Sequence, residues 1–159
     1  MSDQYHRGSI RLRGFDYAGS GAYFVTICTY QRERLFGRIV DRAMILNEMG
    51  RVVYDEWHMS DEIRSEIDLD EFVIMPDHIH FIVWITAPRS DAVQFQSIRK
   101  PKSLSSFVAG FKCVVTKRIN AVRRSNGASI WQRNYYERII RSDAELHALR
   151  RYIKENPRH

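Results

Sequence analysis

The chain has 159 residues, 44% of them hydrophobic, and a formal net charge of +6 with a pI near 9.5. That length suits one domain with a sizeable core, and the charge favours a polyanionic partner, nucleic acid first. No stretch approaches the roughly 18 apolar residues of a membrane span, the start MSDQYHRGS has no signal-peptide core, and the two cysteines match no disulfide or metal spacing. Cys28 and Cys113 stand in apolar stretches and read as buried free thiols, so a reducing, cytoplasmic setting is expected.

Residues 1–21 carry Arg7, Arg11 and Arg13 among Gly and Ser. This is a basic arm, either laid along a phosphate backbone or simply solvated. Residues 22–30, AYFVTICTY, are β-branched and aromatic and form the first, central strand. A charged connection follows, and residues 38–46 hold a short strand or an irregular turn. Asn47 caps a helix over NEMGRVVYDEWHMSDEI, on which His58 has no partner in spacing and reads as a surface residue.

Residues 71–85, EFVIMPDHIHFIVWI, are the centre of the chain. Met75-Pro76-Asp77 reads as a turn, so residues 71–75 and 78–85 form a hairpin. Side chains in a strand alternate faces, so His78 and His80 point the same way at the start of an apolar, doubly buried run. Two imidazoles on one face can hold a divalent metal, but a stable site needs a further ligand from elsewhere in the chain. The binuclear zinc HxHxDH pattern fails, because Ile82 and Val83 stand where its Asp and His belong. A triad of alternating histidines fails at Ile82.

Residues 87–102 have the polar, Pro-containing character of a loop. Ser103 caps a helix over 104–124, whose apolar positions follow a 3.6 period while Lys112, Lys117, Arg118, Arg123 and Arg124 lie elsewhere on its surface. No Asp or Glu interrupts the stretch from Ala92 to Tyr136, which favours nucleic-acid contact over a mixed-charge solvated face. Asn126-Gly127 signals a turn. Residues 129–140, SIWQRNYYERII, are the last strand, with Trp131, Tyr135 and Tyr136 offering flat surfaces to unpaired bases beside Arg133 and Arg138, although half or more of such aromatics are core. Ser142 caps a final helix over 143–156, stopped by Pro157. Tyr152 and Asn156 share a face of it, with Glu155 on the adjacent side. If that face meets the histidines, a tyrosine and an oxygen ligand arrive together.

The order strand, helix, hairpin, helix, strand, helix predicts a single α+β domain of the ferredoxin-like, split βαβ kind, an antiparallel sheet with helices against one face and the histidines on a central strand. The chain resembles the HUH single-strand DNA nucleases, and in particular the REP-associated tyrosine transposases. The blocks GSGAYFVTICTYQRERLFG, EFVIMPDHIHFIVWI and IWQRNYYERIIRSDAELHALRRYIKENP carry the resemblance.

It implies that Tyr152, in YIKENP, is a nucleophile forming a 5′-phosphotyrosine link to single-stranded DNA near a REP-type hairpin. His78 and His80 would bind Mg²⁺ or Mn²⁺ with Asn156 as third ligand and Glu155 as competitor. Tyr135 and Tyr136 are rival nucleophiles by position. The protein would work in the cytoplasm at the nucleoid, as monomer or homodimer. A non-catalytic hairpin binder and an RNA-binding protein are the alternatives.

Overall fold

The computed structural model describes residues 21–63, 67–85, 104–125 and 127–158. The expected basic arm with Arg7, Arg11 and Arg13, the loop over 87–102, the Ser103 cap and Asn126 lie outside the described residues.

Strand β1 (Gly21–Cys28) is apolar on both sides: Ala22 and Phe24 are buried on one face, Val25 and Ile27 on the other. It pairs antiparallel along its whole length with β5 (His78–Ile85), from Gly21 opposite Ile85 to Cys28 opposite His78. Strand β4 (Ile67–Met75) flanks β5 and β6 (Tyr136–Ile139) flanks β1, giving the order β4-β5-β1-β6. Counting these four strands along the chain, the order is second, third, first, fourth, that of the ferredoxin-like split βαβ fold. The histidine strand is therefore central, as its unbroken apolar run predicts.

Helices α1 (Glu48–Ile63) and α2 (Leu104–Arg123) cover the face bearing Val25, Ile27, Ile79, Phe81 and Val83. Helix α3 (Asp143–Glu155) covers the opposite face, setting Leu146 and Ile153 on Ala22, Phe24, Ile82 and Trp84. The expectation of helices against one face thus holds for two helices and not the third. The reason lies in the central strands: a one-sided layer would leave Phe24, Ile82 and Trp84 in water, at about 1.5–3 kcal/mol for each large side chain.

Caps fall where the sequence places them. Asn47 Oδ1 accepts from the Gly50 N–H at 2.9 Å. Ser142 Oγ accepts from the Glu145 N–H at 3.1 Å, while Glu145 Oε1 reaches back to the Arg141 N–H at 2.9 Å. The uncertain stretch over 38–46 is a separate hairpin of β2 (Gly37–Val40) and β3 (Ala43–Leu46).

Only Tyr136–Ile139 of the expected last strand is strand. Upstream of it the pairing shrinks to one antiparallel bridge, Trp131 with Thr29, and the Gln132 and Arg133 carbonyls accept from Lys112 Nζ at 2.8 and 3.2 Å. The thiol expectation is corrected too. Cys113 is exposed and Cys28 half-buried, because Cys113 stands two residues past buried Phe111 and so falls off the packed stripe of α2. Among the described residues, no helix is long and apolar enough to cross a membrane.

Candidate active site on the histidine face

Register fixes the floor of the site. Thr26 lies opposite His80 and Cys28 opposite His78, so these four side chains share one face of the central β1–β5 pair. The two imidazole rings are 4.7 Å apart, centroid to centroid. His80 Nδ1 is 2.8 Å from Thr26 Oγ1, and His78 Nδ1 is 2.7 Å from Asp77 Oδ1. Both Nδ1 atoms are engaged, which leaves each Nε2 as the nitrogen available to a ligand. In the matching tautomer each Nδ1–H donates to its oxygen, an outer-shell arrangement that orients an imidazole and raises its basicity.

Asp77 is held in turn by Arg32 Nε, which donates to Oδ2 at 3.1 Å. Burial pushes the Asp77 carboxyl up, but the hydrogen bonds from His78 and Arg32 outweigh it and keep the group below the usual carboxylate range.

Burial pushes His80 down to about 4, with the neighbouring His78 adding to the effect. His80 is thus a neutral imidazole at neutral pH, the form a metal requires. The shift also carries a stability cost in acid. An unfolded histidine takes up its proton near pH 6.5, whereas the folded one resists until about pH 4. Between those values the unfolded state binds more protons, so stability falls with falling pH. The metal-free protein should lose on the order of 3 kcal/mol through this group between pH 7 and pH 4. Urea unfolding of wild type and His80→Phe at both pH values checks this: the variant should lack that part of the acid sensitivity, and equal slopes would refute the assignment.

Helix α3 brings Tyr152 to this face. Its ring lies 5.3 Å from His80 and 6.2 Å from Phe24, while Phe24 stacks on His80 at 5.4 Å. The Tyr152 side chain is 44% exposed, open to an incoming strand. Asn156 follows at the helix end, buried, and the Asn156–Arg158 turn lies against β3. Among the described residues, no group of three or more His, Cys, Asp or Glu could hold a metal. Glu155 and Asn156, the two oxygen-bearing candidates, stand together at this helix end, Glu155 half-buried and Asn156 buried.

What fastens α3 is a β-bulge. The β4–β5 register shifts between Leu69 and Phe72, so Asp70 and Glu71 both turn toward the α3 face. Asp70 accepts from Arg150 Nε and Nη2 at 2.9 and 2.7 Å and from Trp84 Nε1 at 2.9 Å. The Asp70 and Arg150 side chains are each 9% exposed, and Lys154 meets Glu71 at 3.5 Å on the rim. Removing one partner of a buried pair leaves a naked charge. Asp70→Ala should cost roughly 3–5 kcal/mol in urea unfolding, and a loss below about 1 kcal/mol would contradict this account of the helix.

The expected DNA-binding residues divide. Trp131 is corrected: it is buried between Phe36 at 5.4 Å and Phe111 at 6.4 Å, a core residue with no face for a base. Lys112 is spent on the Gln132 and Arg133 carbonyls, and burial lowers its pKa. Arg118 Nη1 meets Glu56 at 2.7 Å, with Asp55 at 4.0 Å, so α1 supplies the acids missing from the local sequence. Lys117, Arg124 and Arg133 are exposed and Arg123 half-exposed. The α2 cations belong to a helix packed on the face away from the histidines. Arg11 and Arg13 lie outside the described residues.

Sequence reasoning missed Thr26, Phe24, Arg32, Asp70 and Arg150 as parts of the site. Asp77 was legible only as a turn former, although its place beside His78 was a signal.

A ferredoxin-like sheet with His-Ile-His on a central strand and a helical tyrosine against the second histidine is the arrangement of the HUH class. The chain belongs to the IS200-like transposase family: the family model described as "Transposase IS200 like" matches residues 21–156. A Haemophilus influenzae protein of uncharacterised function is 36% identical over 162 residues, covering 96% of this chain and 89% of its own. A solved structure described as a REP-associated tyrosine transposase bound to a REP hairpin shares the fold, with a TM-score of 0.56, 18% identity, and coverage of 90% of this chain and 70% of its own. The family ties the chain to DNA transposition.

Proposed function

We propose that the protein is a metal-dependent single-strand DNA endonuclease and strand transferase, acting beside a DNA hairpin through a 5′-phosphotyrosine link. The observation that carries this reading is the Tyr152 ring 5.3 Å from His80, on a helix tied to the same sheet. The solved relative bound to a REP hairpin supports hairpin DNA as the substrate.

The donor set suits a divalent cation: two neutral-capable imidazoles with free Nε2 atoms, each oriented through Nδ1, and an amide oxygen candidate in Asn156. A bound Mg²⁺ or Mn²⁺ would supply Lewis-acid polarisation of a non-bridging phosphate oxygen. Thr26 and Asp77 hold the two rings, and Phe24 braces His80 and Tyr152 together. Tyr152 Oη attacks phosphorus and forms the new P–O bond. The P–O3′ bond breaks, and the departing 3′-oxygen ends as a hydroxyl, taking up in net terms the proton that the phenol gives up. One ester replaces another, so rejoining is the same step reversed and needs no ATP.

The test uses a labelled single-stranded hairpin oligonucleotide from repeats flanking the gene, with Mg²⁺ or Mn²⁺ or with chelator, on a denaturing gel. A covalent protein–DNA band that needs the metal supports the reading. Tight binding with no such band would instead favour a non-catalytic hairpin binder.

A further inference from the structure

Strand β6 sets Tyr136 opposite Thr26, hence on the face of His80 and Tyr152, at the sheet edge. Its side chain is 54% exposed, the most exposed of the large hydrophobic side chains in the described residues. Its ring meets Phe24 edge to face at 6.4 Å. Phe24, itself 6% exposed, is therefore a shared floor beneath three rings: His80, Tyr152 and Tyr136. Tyr152 and Tyr136 present most of the ring area open to water, His80 being buried. Two residues on, Arg138 occupies the same side opposite Phe24, with its guanidinium set by Glu145 at 2.6 Å.

We infer that Tyr136 is a base-stacking residue, which holds an unpaired nucleobase next to the phosphate attacked by Tyr152. The inference rests on the single-strand reading above. An exposed flat ring fixed from below by a buried ring is a preorganised platform, and every base has a π-face to offer it. Its distance of one shared ring from Tyr152 sets the stacked base close to the scissile phosphate. Of the three aromatics that the sequence offers to unpaired bases, Trp131 is buried, Tyr135 packs against the core of the opposite face, and Tyr136 alone stands exposed on the histidine face. It is a binding residue and not the nucleophile, since Tyr152 alone of the two contacts the His80 ring in this arrangement.

The test measures binding and chemistry separately with the full chain. Fluorescence anisotropy without metal gives the affinity of the labelled hairpin oligonucleotide and of a set in which each unpaired nucleotide in turn is abasic. Tyr136→Ala should weaken binding on the order of tenfold, the scale of one stacked base, with Tyr136→Phe close to wild type. In wild type one abasic position should reproduce the loss, and in Tyr136→Ala that position should cost nothing further. With metal, Tyr136→Ala should raise the oligonucleotide concentration that half-saturates covalent-band formation more than it lowers the maximal rate.

Wild-type affinity in Tyr136→Ala, or the same abasic penalty in both proteins, would overturn the inference. So would a change in oligomeric state with no change in binding. If wild type binds but forms no covalent band, the transesterase reading fails and the anisotropy still decides on Tyr136. If wild type binds no single-stranded DNA, both fail.

Discussion

Tyr152→Phe should reduce covalent protein–DNA complex to background while leaving hairpin binding within about twofold. The substitution removes one oxygen and keeps the ring that packs on Phe24 and His80. The loss should therefore fall on the chemical step alone, because most binding free energy in such a complex comes from phosphate contacts that the ring does not make. Full suppression is expected because, among the described residues, no second tyrosine stands in its place: Tyr136 meets Phe24, one ring further from the histidines, and Tyr135 packs against the core of the opposite face. A gel-shift series beside the denaturing gel checks both halves. A residual band above a few per cent of wild type would point to another attacking group.

His80→Ala should lower metal-dependent adduct formation by at least roughly a hundredfold, equivalent to losing about 3 kcal/mol of transition-state charge stabilisation. His80 serves the site in three ways: it offers Nε2, it stacks on Phe24, and it flanks Tyr152. Single-turnover assays across a Mn²⁺ titration measure the effect. A partial return of activity at high Mn²⁺ would mark a ligand defect, while wild-type rates at every concentration would remove His80 from the mechanism.

Much of this was legible in the sequence because each signal was local. The HxH spacing, the Pro76-Asp77 turn, the Asn47 and Ser142 caps and the helical periods each depend on a few neighbouring residues, and the structure keeps them. What escaped depends on partners distant in sequence. Nothing near Trp131 says that Phe36 and Phe111 close over it, and nothing near Arg118 announces Glu56 from another helix. The β4 bulge hid Asp70 and Glu71, since strict alternation would send them to opposite faces when both face α3. The β2–β3 hairpin turns at Asp41 and Arg42 with φ of 52° and 65° and without the Asn-Gly that usually marks such a turn. The second covered face was implicit in Phe24, Ile82 and Trp84, whose burial demands a helix there.

The most direct test of the central claim is to map the covalent link. Wild type is incubated with Mn²⁺ and the hairpin oligonucleotide, the adduct is digested with nuclease and trypsin, and the modified peptide is identified by mass spectrometry. The account predicts a 5′-phosphonucleotide on Tyr152, in the tryptic peptide Tyr-Ile-Lys that follows Arg151. A nucleotide on Tyr135, Tyr136 or any other residue would contradict it.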